Sequence, residues 1–275
     1  MTQTICFIGA GNMATSLIGG LIANRYPAGQ IVACDIDAAQ LQRLQERFAI
    51  ATQSVAAEGV RQADVVVLAV KPQVMPKACK ALAALPADEE QLFVSIAAGV
   101  PSAAIDNWLG GGRAIVRCMP NTPSLLQLGA TGLAANDRVS EAQKSAAESI
   151  MQAVGISLWV DDESDLDAVT AISGSGPAYF FYFIELLEAA GIKLGLQPEA
   201  AARLARQTAL GAATMSIDED VVRLREQVTS KKGTTEQAIL SFQRNGLGRL
   251  VDEATAAACG RARELARELT EQQEQ

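Results

Sequence analysis

The first 160 residues alternate between short, continuous apolar runs and longer stretches in which apolar residues recur at helical spacing. Continuous apolar runs are typical of parallel strands that are buried on both faces. Strand and helix in alternation predict an α/β fold built on a doubly wound parallel sheet. The runs that we predict to be strands are residues 5–8, 30–35, 64–70, 91–97, 113–119, 129–134 and 157–160, with a helix over residues 38–48 between the second and third.

The pattern changes after residue 161, where the polar run DDESD begins. No strand pattern follows, so we expect residues 1–161 to form one domain and residues 162–275 an all-α C-terminal domain. Residues 166–190 are apolar almost all round, apart from an interruption at residues 173–177. A helix that is apolar on every side is buried on every side. Because the C-terminal domain is too short to surround such a helix alone, we expect a partner chain to cover it, in a dimer at least.

The turn between the first strand and the first helix has the sequence GAGNMA. In the G-x-G-x-x-G/A fingerprint, the first glycine permits a tight turn and the second lets a pyrophosphate approach the backbone. The third small residue lets helix and strand pack closely, and Gly9, Gly11 and Ala14 hold these three positions here. Free N–H groups at the helix N-terminus face the phosphates. The turn therefore predicts a Rossmann-type domain that binds a dinucleotide.

Further cofactor contacts are expected on the loops that follow the strands, because parallel strands end at one edge of the sheet. Asp35 lies 24 residues beyond Gly11, near the spacing at which an acidic residue binds the adenosine ribose 2′-hydroxyl. A carboxylate there repels a 2′-phosphate and favours NADH over NADPH. Two alternatives stay open: Asp35 as a helix N-cap beside Asp37, and Lys71 as a solvated loop residue. The cofactor-binding candidates are Gly9, Ala10, Gly11, Asn12, Met13, Asp35, Ala69, Val70, Lys71, Pro72, Ala97 and Asn121.

Composition narrows the classes of function. The net charge of −8 argues against a nucleic-acid binder. We find neither a signal peptide nor an apolar run of membrane-spanning length, and expect a cytoplasmic protein. The chain has no histidine, which excludes an imidazole general base, a Ser-His-Asp triad and an imidazole-bound zinc, and we expect no metal site. The five cysteines form no C-x-x-C pair and are expected to be reduced and structural.

A second motif, VTSKKGTTEQ at residues 228–237, carries several hydroxyls just before a helical run over residues 237–242. Thr234 and Gln237 have the spacing of a capping box. The N-terminus of such a helix is also an anion site, at which free N–H groups and the helix dipole attract a carboxylate. A well-capped helix and a carboxylate site are therefore both open interpretations.

Together these motifs resemble the pyrroline-5-carboxylate reductase family nearly end to end. The resemblance rests on GAGNMA, on VKPQ at residues 70–73, on MPNTP at residues 119–123, on DAVTAISGSGPAYFFYFIE at residues 167–185, and on GTT at residues 233–235. It implies reduction of pyrroline-5-carboxylate to proline with NAD(P)H, usually NADPH. It also implies a helical domain that interlocks with a partner in a dimer, often in a ring of five dimers.

The resemblance also implies a substrate site. In that family the loop matching residues 230–235 holds the substrate carboxylate, and the residue matching Thr235 donates a hydrogen bond to the ring nitrogen. Thr235 and Ser230 are therefore the catalytic candidates. The substrate-binding candidates are Ser173, Gly176, Pro177, Ser230, Gly233, Thr234 and Thr235.

Two departures from the family pattern affect these expectations. The family usually reads SPGG where this chain has Ser230-Lys231-Lys232-Gly233, and Ala56 replaces a common asparagine near the adenosine ribose. Two other functions were weighed. A β-hydroxyacid dehydrogenase would carry a lysine on its central helix, and residues 178–190 contain none. A non-catalytic nucleotide-binding regulator is favoured only by the altered loop.

Overall fold

The computed structural model describes residues 2–86, 88 and 90–271 of the chain. Within these residues eight strands form one sheet. The predicted strands are all present. The edge strand β3 was not predicted, because it is three residues long, polar and largely exposed. The strands are β1 (Ile5–Ile8), β2 (Ile31–Cys34), β3 (Ala51–Gln53), β4 (Val65–Leu68), β5 (Leu92–Ser95), β6 (Ala114–Met119), β7 (Gly129–Ala135) and β8 (Gly155–Trp159).

The strand order is β3-β2-β1-β4-β5-β6-β7-β8. Strands β1 to β6 run parallel in the doubly wound order 3-2-1-4-5-6. Strand β7 pairs with β6 in the antiparallel sense, and β8 runs parallel to β7, so the last two strands depart from an all-parallel sheet. The carboxyl ends of the six parallel strands meet at one edge, where the dinucleotide was expected.

The described helices are α1 (Asn12–Ala23), α2 (Ala38–Phe48), α3 (Ala56–Val60), α4 (Met75–Leu82), α5 (Ser102–Trp108), α6 (Glu141–Gln152), α7 (Leu166–Val169), α8 (Gly176–Lys193), α9 (Pro198–Met215), α10 (Val221–Gln227), α11 (Thr234–Arg244) and α12 (Leu247–Glu271). Short 3₁₀ turns lie at Ala28–Gln30, Pro72–Val74, Thr122–Leu126 and Glu163–Asp165, and a π-helical turn at Thr170–Gly174. Searched over its described residues, the chain has no helix long and apolar enough to cross a membrane.

Two apolar layers enclose the sheet. Along β1, Ile5 and Phe7 enter the layer formed with α1, α2 and α6, whereas Cys6 and Ile8 enter the layer formed with α3, α4 and α5. This alternation follows from the period of two residues in a strand. It explains why the inner strands have continuous apolar sequences, as predicted.

The cysteines are free thiols, and four of the five are buried. Cys6 and Cys34 lie on neighbouring strands with their sulfur atoms 3.6 Å apart. Burial raises the pKa of Cys79 to about 12, so that thiol stays protonated near neutral pH. These side chains act as small apolar residues of the core.

The chain separates into two compact units. The first consists of the described parts of Met1–Ser175 and Ala258–Gln275, and the second of Gly176–Ala257. The division therefore falls later than residue 161, and the end of α12 belongs with the sheet. The boundary at residue 161 stays a prediction.

The second unit is entirely helical and has almost no core of its own. Of its residues, all of which are described, only Gly176, Ala201 and Ala205 are buried. Phe180 on α8 is 71% exposed and Phe181 is 66% exposed. Apolar area on this scale marks a surface that another chain covers. The sequence prediction of an apolar helix that needs a partner agrees with this exposure.

Glu163 ties the segment after β8 to the sheet of the first unit. Its Oε1 atom accepts hydrogen bonds from the Ser102 main-chain N–H over 2.7 Å and from Arg117 Nη1 over 2.6 Å. Arg117 lies on β6, and Ser102 is the first residue of α5. Burial raises the pKa of the Glu163 carboxyl, but the hydrogen bonds from Ser102 and Arg117 outweigh it, so the pKa lies below its ordinary range.

We expect Glu163→Gln to lower the free energy of unfolding by roughly 1–2 kcal/mol near neutral pH, because it weakens charge-assisted hydrogen bonds. A depressed folded-state pKa means that the carboxylate stabilises the fold above its unfolded-state pKa. This contribution is lost as the pH falls through the folded-state pKa. The difference between parent and variant should therefore be larger at about pH 7 than at about pH 3, measured by urea unfolding at one protein concentration.

Glu253→Gln serves as the matched control, because Glu253 pairs with Arg249 on an exposed helix face. Exposed pairs contribute little, so that variant should differ little from the parent at either pH. A Glu163→Gln difference of the same size at both pH values would contradict the assignment.

Candidate active site

The phosphate-binding turn depends on Gly9. This residue has φ +100°, and a Cβ atom there would lie 2.8 Å from the Ala69 carbonyl oxygen. Its N–H donates to the Cys34 carbonyl oxygen over 2.7 Å. Only glycine allows both the positive φ and the close approach of β4, so Gly9 joins the ends of three neighbouring strands.

Two side chains hold the next residue of the turn. The Ala10 N–H donates to Asp35 Oδ2 over 2.7 Å, and Gln40 Nε2 donates to the Ala10 carbonyl oxygen over 2.6 Å. Asp35 Oδ1 also accepts from the Asp37 N–H over 2.9 Å. The helix cap belongs to Asp37, which accepts from two N–H groups of α2, so the alternative of Asp35 as that cap is wrong. Gln40 was missed, since nothing in the pattern sets it apart from other polar helix residues.

The N-terminus of α1 lies open beside this turn. Gly11 is the N-cap, and among the described residues no side chain caps the first turn of α1. A Cβ atom on Gly11 would meet nothing within 4 Å in the described structure. The exposed main chain of Gly11 and Asn12 is therefore accessible to a group larger than water. These features fit the pyrophosphate of a dinucleotide.

The other cofactor candidates also lie at the carboxyl edge of the sheet, but their exposure differs. Ala69 follows β4, with its N–H bonded to the Ile8 carbonyl oxygen. Val70 is half-buried against Gly9, Lys71 is exposed at the start of the 3₁₀ turn Pro72–Val74, and Ala97 is buried. Asn121, after β6, bonds with its own chain through both ends of its amide.

The residues predicted to bind substrate fall in two places. Ser173 lies in the first unit, two residues before the segment Met1–Ser175 ends, and its hydroxyl donates to the Val169 carbonyl oxygen over 3.0 Å. Gly176 and Pro177 begin α8 in the second unit. The others, Ser230, Gly233, Thr234 and Thr235, lie together in the loop before α11 and its first turn.

That loop is a tight turn closed by a hydrogen bond from the Gly233 N–H to the Ser230 carbonyl oxygen over 2.9 Å. A Cβ atom on Gly233 would lie 2.4 Å from Ser230 Oγ, so the hydroxyl packs directly against the glycine. Lys232, at the third position of the turn, has φ +62°. Turns with positive φ at this position ordinarily take glycine, which gives a physical reason for the glycine in the family pattern.

The predicted capping box is wrong. Helix α11 begins at Thr234 rather than residue 237, its N-cap is Gly233, and no side-chain cap is present among the described residues. The carboxylate of Glu236 instead reaches back and accepts from the Lys232 N–H over 2.7 Å. Glycine has no side chain with which to cap a helix, and the neighbouring hydroxyls therefore favoured Thr234 as the predicted N-cap. The hydroxyl of Thr235 has no hydrogen-bond partner within the described part of the chain.

The sheet and its phosphate-binding turn define an NAD(P)-dependent oxidoreductase of Rossmann type. A family model described as NADP oxidoreductase, coenzyme F420-dependent, matches residues 4–99, and one described as pyrroline-5-carboxylate reductase dimerisation matches residues 163–265. The pyrroline-5-carboxylate reductase of Pseudomonas aeruginosa is 56% identical over 271 residues, which are 98% of each sequence.

Solved structures agree. That of a pyrroline-5-carboxylate reductase from Coxiella burnetii is 44% identical, with a TM-score of 0.93 over 97% of this chain and 99% of that one. The Plasmodium falciparum pyrroline carboxylate reductase with NADP bound is 29% identical, with a TM-score of 0.79 over 96% and 98%. The chain belongs to the pyrroline-5-carboxylate reductase family. The dimerisation region explains the exposed apolar helices, and the protein assembles with copies of itself.

We expect Lys232→Gly to raise the free energy of unfolding by roughly 0.5–1 kcal/mol. Glycine relieves the cost of a positive φ at this position but adds entropy to the unfolded chain, so the net gain is modest. Lys231→Gly is the matched control, because it removes a neighbouring charge at a residue without positive φ. It should lower stability. Equal effects of the two variants in chemical unfolding would mean that charge, rather than backbone strain, governs the turn.

Proposed function

We infer that this protein reduces pyrroline-5-carboxylate to proline with NAD(P)H. The observation that carries the proposal is the presence, on one chain of this family, of a phosphate-binding helix and a hydroxyl-rich loop. Among the described residues, no side chain caps that helix and the Thr235 hydroxyl has no hydrogen-bond partner. A cyclic imine is readily protonated near neutral pH, and its carbon then accepts a hydride without a strong acid. A chain without histidine is sufficient for such a reaction.

The geometry of the first unit supports the cofactor-binding residues that we propose. The main-chain N–H groups of Gly11, Asn12 and Met13 would hold the pyrophosphate, with Gly9 and Ala10 shaping the turn. The loops after β4 and β5, which carry Ala69–Pro72 and Ala97, would line the rest. The reduced nicotinamide supplies the hydride. The work of the protein is to orient the reacting groups and to keep them together.

The substrate-binding residues that we propose lie in the loop before α11. We propose that Ser230 and the first turn of α11 hold the substrate carboxylate, where N–H groups and the helix dipole favour an anion. Thr235 would donate its hydroxyl proton in a hydrogen bond to the ring nitrogen. Lys231 and Lys232 add positive charge beside this site, while the Glu236 carboxylate is occupied by the Lys232 N–H.

We further propose a preference for NADH. The carboxylate of Asp35 is held beside the phosphate-binding turn by the Ala10 N–H, and it retains lone pairs for a ribose hydroxyl. A 2′-phosphate would meet its negative charge. The assembly is proposed to be a dimer or a ring of five dimers, as in the family, and the location cytoplasmic.

Asp35→Ser should shift the ratio of kcat/KM for NADH over NADPH toward NADPH by about tenfold or more, an effect of about 1.4 kcal/mol. Steady-state kinetics with each cofactor measure it. Asp37→Ser is the matched control: it removes a charge two residues away, and serine still caps α2. That variant should keep the parent's ratio. Unchanged ratios in both variants would refute the role of Asp35.

Thr235→Ala should lower kcat on the order of 10²-fold, the low end for a positioned proton donor. Thr235→Ser should retain most activity, because only the hydroxyl is needed, and the Kd of the cofactor should hardly change. Ser230→Ala should raise KM more than it lowers kcat, because a carboxylate contact is similar in ground and transition states.

Thr229→Ala is the matched control for Thr235→Ala, since the Thr229 hydroxyl already donates to the Arg225 carbonyl oxygen. It should keep kcat within about twofold of the parent, well short of the loss expected for a donor. If Thr235→Ala were as active as the parent, this loop would be only the start of a helix. The hydrogen-bond donor to the ring nitrogen would then be another residue.

A further inference from the structure

Asn121 follows β6 at the carboxyl edge of the sheet, and its side-chain amide forms hydrogen bonds with two other segments of the same chain. It is 8% exposed. Its Oδ1 atom accepts from the Ala130 N–H over 3.0 Å, and its Nδ2 atom donates to the Ser173 carbonyl oxygen over 2.9 Å. An amide placed to bind a ligand would be expected to leave at least one end open. Here each end joins a different segment of the first unit.

The Ser173 carbonyl needs this donor for a reason that is visible in the sequence. In an α-helix it would accept from the main-chain N–H four residues later. That residue is Pro177, which has no N–H. Ser173 is half-buried, and a carbonyl withdrawn from water without a partner is costly. The Asn121 amide therefore replaces a hydrogen bond that Pro177 removes.

The turn that carries Ser173 is π-helical, closed by the Ser175 N–H donating to the Thr170 carbonyl oxygen over 2.8 Å. Such turns are rare and persist where surrounding contacts favour them. Gly174 packs against the end of β6, since a Cβ atom there would lie 2.7 Å from Met119 Cε. Polar and apolar contacts from one end of β6 thus hold the same turn.

We propose that Asn121 is a positioning residue, which acts through the main chain of Ser173. It holds the π-helical turn on the end of β6, and this turn immediately precedes Gly176 and Pro177, the substrate candidates at the start of α8. This differs from direct contact with the cofactor, which the sequence pattern favours. The effect on catalysis rests on the proposed function, whereas the effect on the turn does not.

Asn121→Asp tests the proposal, because it keeps an acceptor for the Ala130 N–H but replaces the donor to Ser173 with an oxygen. Hydrogen exchange at residues 170–175 should accelerate by an order of magnitude or more as the turn opens. The kcat for pyrroline-5-carboxylate should fall about 10- to 100-fold, as a small misplacement of reacting groups does. The Kd of the cofactor should hardly change, because the altered hydrogen bond joins two segments of the protein chain.

Asn136→Asp is the matched control. Asn136 also bonds with both ends of its amide, accepting from the Ile115 N–H and donating to the Arg113 carbonyl oxygen, at the opposite end of β6. It should destabilise the fold while leaving kcat and exchange at residues 170–175 close to the parent values. A rise in cofactor Kd with unchanged exchange in Asn121→Asp would overturn the proposal in favour of cofactor contact.

The double variant Asn121→Asp with Pro177→Ala adds a test of the mechanism, since alanine supplies an N–H for the Ser173 carbonyl. Exchange at residues 170–175 should return toward that of Pro177→Ala alone. If Asn121→Asp does not fold, the double variant should. Failure of both to fold, or equal exchange with and without Pro177→Ala, would refute the proposal. A parent that does not reduce pyrroline-5-carboxylate would remove the proposed function and leave the exchange result standing.

Discussion

The edge of the sheet at which we propose that the cofactor binds depends on the close approach of the main chain after β4 to Gly9. The residue's positive φ and the nearby Ala69 carbonyl leave no room for a side chain, and its N–H bonds to the end of β2. Ends of β1, β2 and β4 are thereby joined through one glycine. The next residue is held by Asp35 and Gln40, so that α1 begins with its N–H groups directed outward. A rigid turn of this kind presents phosphate-binding groups without reorganisation.

The helical unit follows a different principle. With three buried residues in Gly176–Ala257, it obtains little stability from its own packing, and its apolar helices require another chain. The dimerisation region of the family spans these helices. Assembly is therefore expected to stabilise this part of the chain, which includes the loop before α11.

Periodicity was sufficient to predict the inner strands, because their side chains alternate between two apolar layers. Periodicity did not predict features whose residues are neither buried nor regularly spaced. Strand β3 is short and polar. The N-cap of α11 is Gly233 rather than Thr234, and the Glu236 carboxylate accepts from the Lys232 N–H. The links from Asn121 to Ser173 and from Glu163 to Arg117 join residues 52 and 46 positions apart. Contacts at such separations are set by tertiary structure. The site residues themselves came from motifs, and their contacts with ligands stay predictions.

The most direct test is whether the purified protein catalyses the reduction of pyrroline-5-carboxylate. Pyrroline-5-carboxylate and either NADH or NADPH are supplied, and the loss of the reduced cofactor is followed together with the proline formed. The account predicts one proline for each cofactor oxidised, with no activity when pyrroline-5-carboxylate is omitted. Binding of the dinucleotide by equilibrium dialysis without any formation of proline would contradict it, and would identify a nucleotide-binding protein that has kept the fold without the reaction.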